Sequence, residues 1–407
     1  MTQYRIPDSS SLLIIRVAGM LLQLGITYFA LSHFGSEGFG DFIQILVLTN
    51  LVSIPIQSGL MQSAARCTDS SEFLSICFSG LILFFVSTST LWLWLKFGKN
   101  ELNFLSYIFV AGYCFLCSVY ALLMGVSRRL GDAISGVFAK QVAEPFLIII
   151  FLFILSKISP GISLIEIYLL ASLVSLLILR RYFRFIIISI PQQISWRLIK
   201  SSILVIINFS KISFSSHVIF SLPIIIISSY YSSTIVSAWR ILEQLTAVVL
   251  MPHSIFAAVA HRDILVKMRD QPNGQHIGLA LDALKKLRNI GLGLSTAAFF
   301  GVLVGSKILF GMLSNAVISW EPIYLYVTFL LGFAHLVNTS FGHIGLLLGV
   351  LGDEAFMSKV ALSMTAVIIF IQFVLGDLSL ILLAFFPLLF NFSLNSTMYF
   401  RLKGVSR

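Results

Sequence analysis

About twelve apolar stretches, each near the length a helix needs to cross a bilayer, run along this 407-residue chain. They fall at roughly 12–34, 41–64, 73–95, 103–126, 134–156, 163–185, 207–229, 235–259, 289–312, 320–350, 357–376 and 378–400. A backbone in hydrocarbon must satisfy its own polar groups, so only helices or a closed barrel can span it. The period-two alternation of barrel strands is missing, and the stretches are therefore predicted to be helices. With 58% hydrophobic and 11% charged residues and a mean hydropathy of +0.97, the sequence is expected to hold no soluble domain large enough to act alone.

The formal charge of +10 would suit a nucleic-acid binder, but the basic residues sort by side. With the N-terminus cytoplasmic, one side collects Arg5, Arg66, Arg128, Arg129, Arg180, Arg181, Arg184, Arg197, Lys200, Arg262, Lys267, Arg269, Lys285, Lys286, Arg288, Lys359, Arg401, Lys403 and Arg407; the other keeps little beyond Lys96, Lys99 and Lys157. That asymmetry places both termini in the cytoplasm and argues against nucleic acid as a partner. Residues Met1 to Ser11 lack the basic start and cleavage site of a signal peptide, so the first span is expected to be retained. Cys114 and Cys117 form a C-x-x-C inside an apolar run, which reads as packing rather than redox or metal chemistry.

Leu122-Leu123-Met124-Gly125-Val126 followed by Leu130-Gly131-Asp132 returns as Leu346-Leu347-Leu348-Gly349-Val350-Leu351-Gly352-Asp353, with three extra residues in the first copy. Segments four and ten share an orientation, so the repeat implies two parallel, pseudo-symmetric six-helix bundles. The expected division is a bundle over 1–190, a cytoplasmic linker over 191–206 containing Pro191-Gln192-Gln193, and a bundle over 207–407. Every outer connection is short, which disfavours a polysaccharide polymerase or membrane transferase, since such an enzyme needs an external domain for its acceptor. The longest polar segment, His261 to Arg288, reads either as an interfacial amphipathic helix meeting anionic lipids or as a solvated connector. No phosphate-binding glycine loop and no catalytic or metal-spaced cluster is present, so no cofactor, metal or enzymatic role is expected and transport remains.

Ionisable groups inside spans are costly and by default mark functional positions. Arg16 shares a helical face with Gln23 and Thr27, although it could equally snorkel to headgroups. Asn50, Ser53 and Gln57 form a stripe around Pro55 that ends near Arg66, and Ser210, Ser213, His217 and Ser221 form another, with Lys211 at its cytoplasmic end. Arg240 with Glu243, and Lys140 with Glu144, stand one turn apart and could pair. Lys307, His335, Asn338, Thr339 and His343 complete the candidates. Cations outnumber carboxylates here, so a chamber between the bundles would be positive and would suit a phosphate-linked sugar.

Phe34-Gly35-Ser36-Glu37-Gly38-Phe39-Gly40-Asp41-Phe42, the run Gly59 to Arg66, and the second repeat copy resemble the Wzx O-antigen flippases, polysaccharide transporters of the multidrug/oligosaccharidyl-lipid/polysaccharide (MOP) exporter superfamily. The resemblance implies an all-α integral membrane protein of the bacterial inner membrane. It would move undecaprenyl-pyrophosphate-linked repeat units of the lipopolysaccharide O-antigen from the cytoplasmic to the periplasmic leaflet by alternating access. Its partners would be membrane lipids, a polysaccharide polymerase and a chain-length regulator. By this likeness substrate contacts fall on Arg16, Arg66, Lys140, Lys211, Arg240 and Lys307, and ion coupling on Glu144, Glu243 or His217; the stripes themselves put a polar lining at Gln23, Asn50, Gln57, His217 and Asn338. The rival readings are a multidrug antiporter of the same superfamily, a peptidoglycan-precursor flippase and, as an enzyme, a polymerase.

Overall fold

The structure is a computed structural model. It describes residues 9–67, 70–97, 104–130, 132–158, 162–182, 196–269, 276–342, 344, 348, 353–375 and 379–405. The chain divides into two compact units, Met1–His217 and Val218–Arg407. Among the described residues the regular structure is helical: α1 Ser9–Arg66, α2 Ser70–Phe97, α3 Phe104–Arg129, α4 Ala133–Phe138, α5 Glu144–Ile158 and α6 Leu164–Ser175, then α7 Trp196–Tyr230, α8 Ser233–Arg269, α9 His276–Leu313, α10 Ile323–Phe341, α11 Glu354–Leu375 and α12 Leu380–Val405.

Ten stretches among the described residues are long and apolar enough to cross a membrane. One of them, Ile14–Ala65, is two spans in a row, because Gly35 takes φ 72° and ψ 178° and divides α1. Only glycine adopts that backbone freely. The sixth span begins as α6, where Ser163 and Glu166 form a reciprocal capping box, and tightens into a 3₁₀ turn at Leu176–Leu179. With these two features allowed for, the described helices match the apolar runs of the sequence one for one. The polytopic helical membrane architecture expected from the sequence is the one observed.

The expected linker, 191–206, is described from Trp196 onward. From Trp196 onward it is already α7, which continues through the unit boundary to Tyr230, while Pro191-Gln192-Gln193 lies outside the described residues. Ser202 and Ile206 are buried here, and Ile206 packs against Gly59. A Cβ on Gly59 would stand 2.5 Å from the Ile206 carbonyl oxygen. Lipid supplies no hydrophobic drive between helices, so close approach at such small residues is what holds them. His261 to Arg288 belongs to the ends of α8 and α9 wherever its backbone is described.

The repeat has a structural counterpart. Asp132 N–H donates to the Ser127 carbonyl at 2.8 Å and Asp353 N–H to the Leu348 carbonyl at 3.0 Å, closing the same turn in both units. Each aspartate then receives an arginine from the last span of its own unit. Arg181 and Tyr182 donate to Asp132, which also caps α4 through Ser135; Arg401 donates to Asp353 at 2.9 and 3.2 Å. The Arg401 guanidinium holds the Asp353 carboxyl below the usual aspartate range.

Candidate functional site

Pro145 shapes the site in the first unit. It has no N–H for the carbonyl four residues back and its ring crowds that carbonyl, so a regular helix cannot run through it. The strain is taken up by a π-helical turn at Ala139–Ala143, with Glu144 N–H donating to Ala139 O. The freed carbonyl of Gln141 faces α1 at Gly19, where a Cβ would sit 2.5 Å from its oxygen. The first arm of α1, which carries Arg16 one turn before Gly19, thus lies directly on the π turn that carries Lys140.

Lys140 Nζ lies 2.8 Å from Glu144 Oε1 and 2.6 Å from Oε2, and stands 5.1 and 5.6 Å from the ring centroids of Tyr120 and Tyr113. Ser172 Oγ, on α6, also donates to Glu144, and Tyr120 donates to Ser175. The lysine side chain is 29% exposed and the carboxylate behind it 4%.

Arg16 is different. Its Nε is buried without a hydrogen-bond partner, and its charged neighbour is a second arginine, Arg128 at the end of α3. Among the described residues neither guanidinium is paired with a carboxylate. Two like charges within each other's field and without a counter-ion are unfavourable in a low dielectric, and an anion near both would relieve them. Sequence reasoning assigned Arg128 only to topology. Its signal was the insertion Ser127-Arg128-Arg129, the three extra residues of the first repeat copy.

In the second unit Arg240 donates to Glu243 Oε2 at 3.1 Å, and the fully buried Trp239 donates to Oε1 at 2.8 Å. Here too the cation is the more exposed partner, 31% against 16%. Asn338 is engaged by Asn395 at 3.0 Å, in a tie between α10 and α12 that also joins Asn391 to Ala334 O. His335 is buried, stacked on Phe220 at 5.9 Å, and its Nδ1 has no partner.

The remaining candidates are dispersed. Gln23, Asn50 and Gln57 are half-buried, and Ser53 Oγ is buried and unpartnered. His217 Nδ1 lies 2.7 Å from the Ser213 carbonyl, and Lys211 is half-buried. Lys307 is exposed on the face of α9 that shows Phe300, Val304 and Ile308, an apolar surface of the kind lipid covers. The Arg66 and His343 side chains lie outside the described residues. Cys67, Cys77, Cys114 and Cys117 form no disulfide among the described residues, and Cys117 Sγ lies 3.7 Å from Lys140 Nζ.

No protein-family model and no curated protein matches the sequence. Solved structures do. The chain superimposes on an inward-facing multidrug-resistance MATE transporter of the MOP superfamily with a TM-score of 0.64 at 14% identity, over 98% of both chains. The lipid II flippase MurJ in an inward-closed conformation gives 0.66 at 14% identity, over 96% of this chain and 87% of that one. A MOP-superfamily transporter from Pyrococcus furiosus, described by the reversed polarity of its binding pocket, gives 0.65 at 14% identity over 98% and 95%. The chain has the MOP-transporter fold. At such identities the likeness is one of fold, and substrate must be argued from side chains.

Proposed function

We propose that the protein is a flippase for an anionic, lipid-linked oligosaccharide, which it carries across the membrane by alternating access. The observation that supports this is Arg16 on α1 and Arg128 at the end of α3, two guanidinium groups each within reach of the other's charge and with no carboxylate paired to either among the described residues. Planar guanidinium forks match phosphate oxygens, and a pyrophosphate offers enough charge and acceptors for both. A drug antiporter for organic cations would want the opposite charge at such a place. The charged head is what hydrocarbon excludes, so sheltering it removes the main barrier to flipping, while the apolar tail can stay in lipid.

The substrate we favour is an undecaprenyl-pyrophosphate-linked O-antigen or related polysaccharide repeat unit, moved from the cytoplasmic to the periplasmic leaflet of a bacterial inner membrane. Both termini would be cytoplasmic, since the positive-inside charge balance is what orients the chain. A polymerase and a chain-length regulator would act on the product. The bundle pair expected from the repeat, 1–190 and 207–407, would supply the two moving bodies, and the protein itself would make or break no covalent bond. Reconstituted protein should exchange a labelled polyprenyl-pyrophosphate oligosaccharide between vesicle leaflets, and Arg16→Ala with Arg128→Ala should abolish that exchange. Uptake of small organic cations with no lipid exchange would favour the antiporter instead.

A further inference from the structure

Each unit holds a cation that is already neutralised, and in both the arrangement is the same. Lys140 and Glu144 lie four residues apart on the helical path from the π turn into α5; Arg240 and Glu243 lie three apart on α8. These ion pairs tie a helix only to itself. The Asp132–Arg181 and Asp353–Arg401 pairs, by contrast, join separate elements and fix the fold. In both short pairs the cation is the more exposed member and the carboxylate the more buried one. In both, the carboxylate has a second donor that is not the cation: Ser172 Oγ for Glu144 and Trp239 Nε1 for Glu243. The cation can therefore swing away while its carboxylate stays anchored and hydrogen-bonded.

We propose that Glu144 and Glu243 are placeholder counter-ions, occupying Lys140 and Arg240 while no substrate is bound and being displaced from them by the pyrophosphate of the headgroup. The inference rests on the anionic-substrate reading above and adds the control of affinity at that site. An unladen carrier must keep its charges neutral within the membrane, where an unpaired ion is costly. A laden one must let go. A fixed carboxylate behind each cation competes with the bound phosphate and repels it, so binding stays weak enough for release, as in channels that hold an ion without trapping it. Arg16 and Arg128, with no such competitor, would give the first capture.

The test uses purified full-length protein in detergent and three probes: a synthetic polyprenyl pyrophosphate, inorganic pyrophosphate, and phosphatidylglycerol vesicles. Glu144→Gln and Glu243→Gln should each bind both pyrophosphates about tenfold or more tighter than wild type, with little change toward phosphatidylglycerol. In vesicles the same variants should show a lower KM together with a lower kcat for lipid exchange, since release is slowed. Lys140→Met should erase the gain when combined with Glu144→Gln. A merely structural glutamate would instead give weaker binding and lower stability. The two variants report independently, so one that fails to fold leaves the other decisive. Unchanged or weaker pyrophosphate binding in the variants that fold, or tightening toward phosphatidylglycerol alone, overturns the proposal. Wild type that binds no pyrophosphate probe at all would sink the anionic-substrate reading itself, a failure visible before any variant is measured.

Discussion

Replacing Gly19 by alanine should strain the junction between the first arm of α1, which carries Arg16, and the π turn, which carries Lys140. The new Cβ would lie 2.5 Å from the Gln141 carbonyl oxygen, where ordinary contact begins near 3.4 Å, so the first arm of α1 must retreat by about 1 Å. Overpacking of this kind costs about 1–3 kcal/mol, and the upper half applies because the facing atom is backbone and cannot rotate away. Alanine returns about 1 kcal/mol of helix propensity. The net loss should be about 1–2 kcal/mol, read as a lower Tm of the purified protein in micelles. Gly293→Ala, which meets nothing within 4 Å, is the control and should be neutral or stabilising. The cause can be isolated with Pro145→Ala, which gives Gln141 O a donor again and draws it back toward the helix axis; the Gly19→Ala penalty should shrink by at least about 0.5 kcal/mol in that background. If Gly19→Ala matches the control, or if the two changes simply add, the account of the π turn is wrong.

Breaking the Asp132–Arg181 tie with either Asp132→Arg or Arg181→Asp should lower the yield of folded protein, and the double reversal should recover part of it; no recovery would mean the pair is incidental. Asp353→Asn should lower Tm at neutral pH. Because the folded-state carboxyl is depressed by Arg401, that stabilisation is present above the ordinary aspartate value of 3.8 and fades only as pH falls through the lower folded-state value. A gap between wild type and variant that closes already at pH 6 would contradict this. Lys307→Leu should leave lipid exchange unchanged, since the residue stands among exposed apolar side chains; a loss of transport would return it to the site.

Much of the architecture was legible because hydropathy and length answer one question, whether a helix can span lipid. The repeat was legible too, and its aspartates proved to occupy matching ties. What hydropathy could not give was facing. The faces of α9 are alike in composition, so the sequence does not tell a lining Lys307 from one that stands, as here, among the exposed Phe300, Val304 and Ile308. The i,i+4 and i,i+3 spacings of Lys140–Glu144 and Arg240–Glu243 were visible, but the choice between pairing and substrate contact needed coordinates. Arg128 was read as a flanking charge because its relation to Arg16 spans the whole of α1 to α3. No local pattern encodes such a meeting.

The central claim is that Arg16 and Arg128 together receive a phosphate-bearing head. Its most direct measurement compares the affinity of wild type and the double alanine variant for polyprenyl pyrophosphate and for the uncharged polyprenol, in the same detergent at fixed salt. The account predicts that wild type prefers the pyrophosphate by about a hundredfold, that this preference weakens as salt rises, and that the double variant binds both lipids alike. Equal affinity of the wild-type protein for charged and uncharged lipid would contradict it.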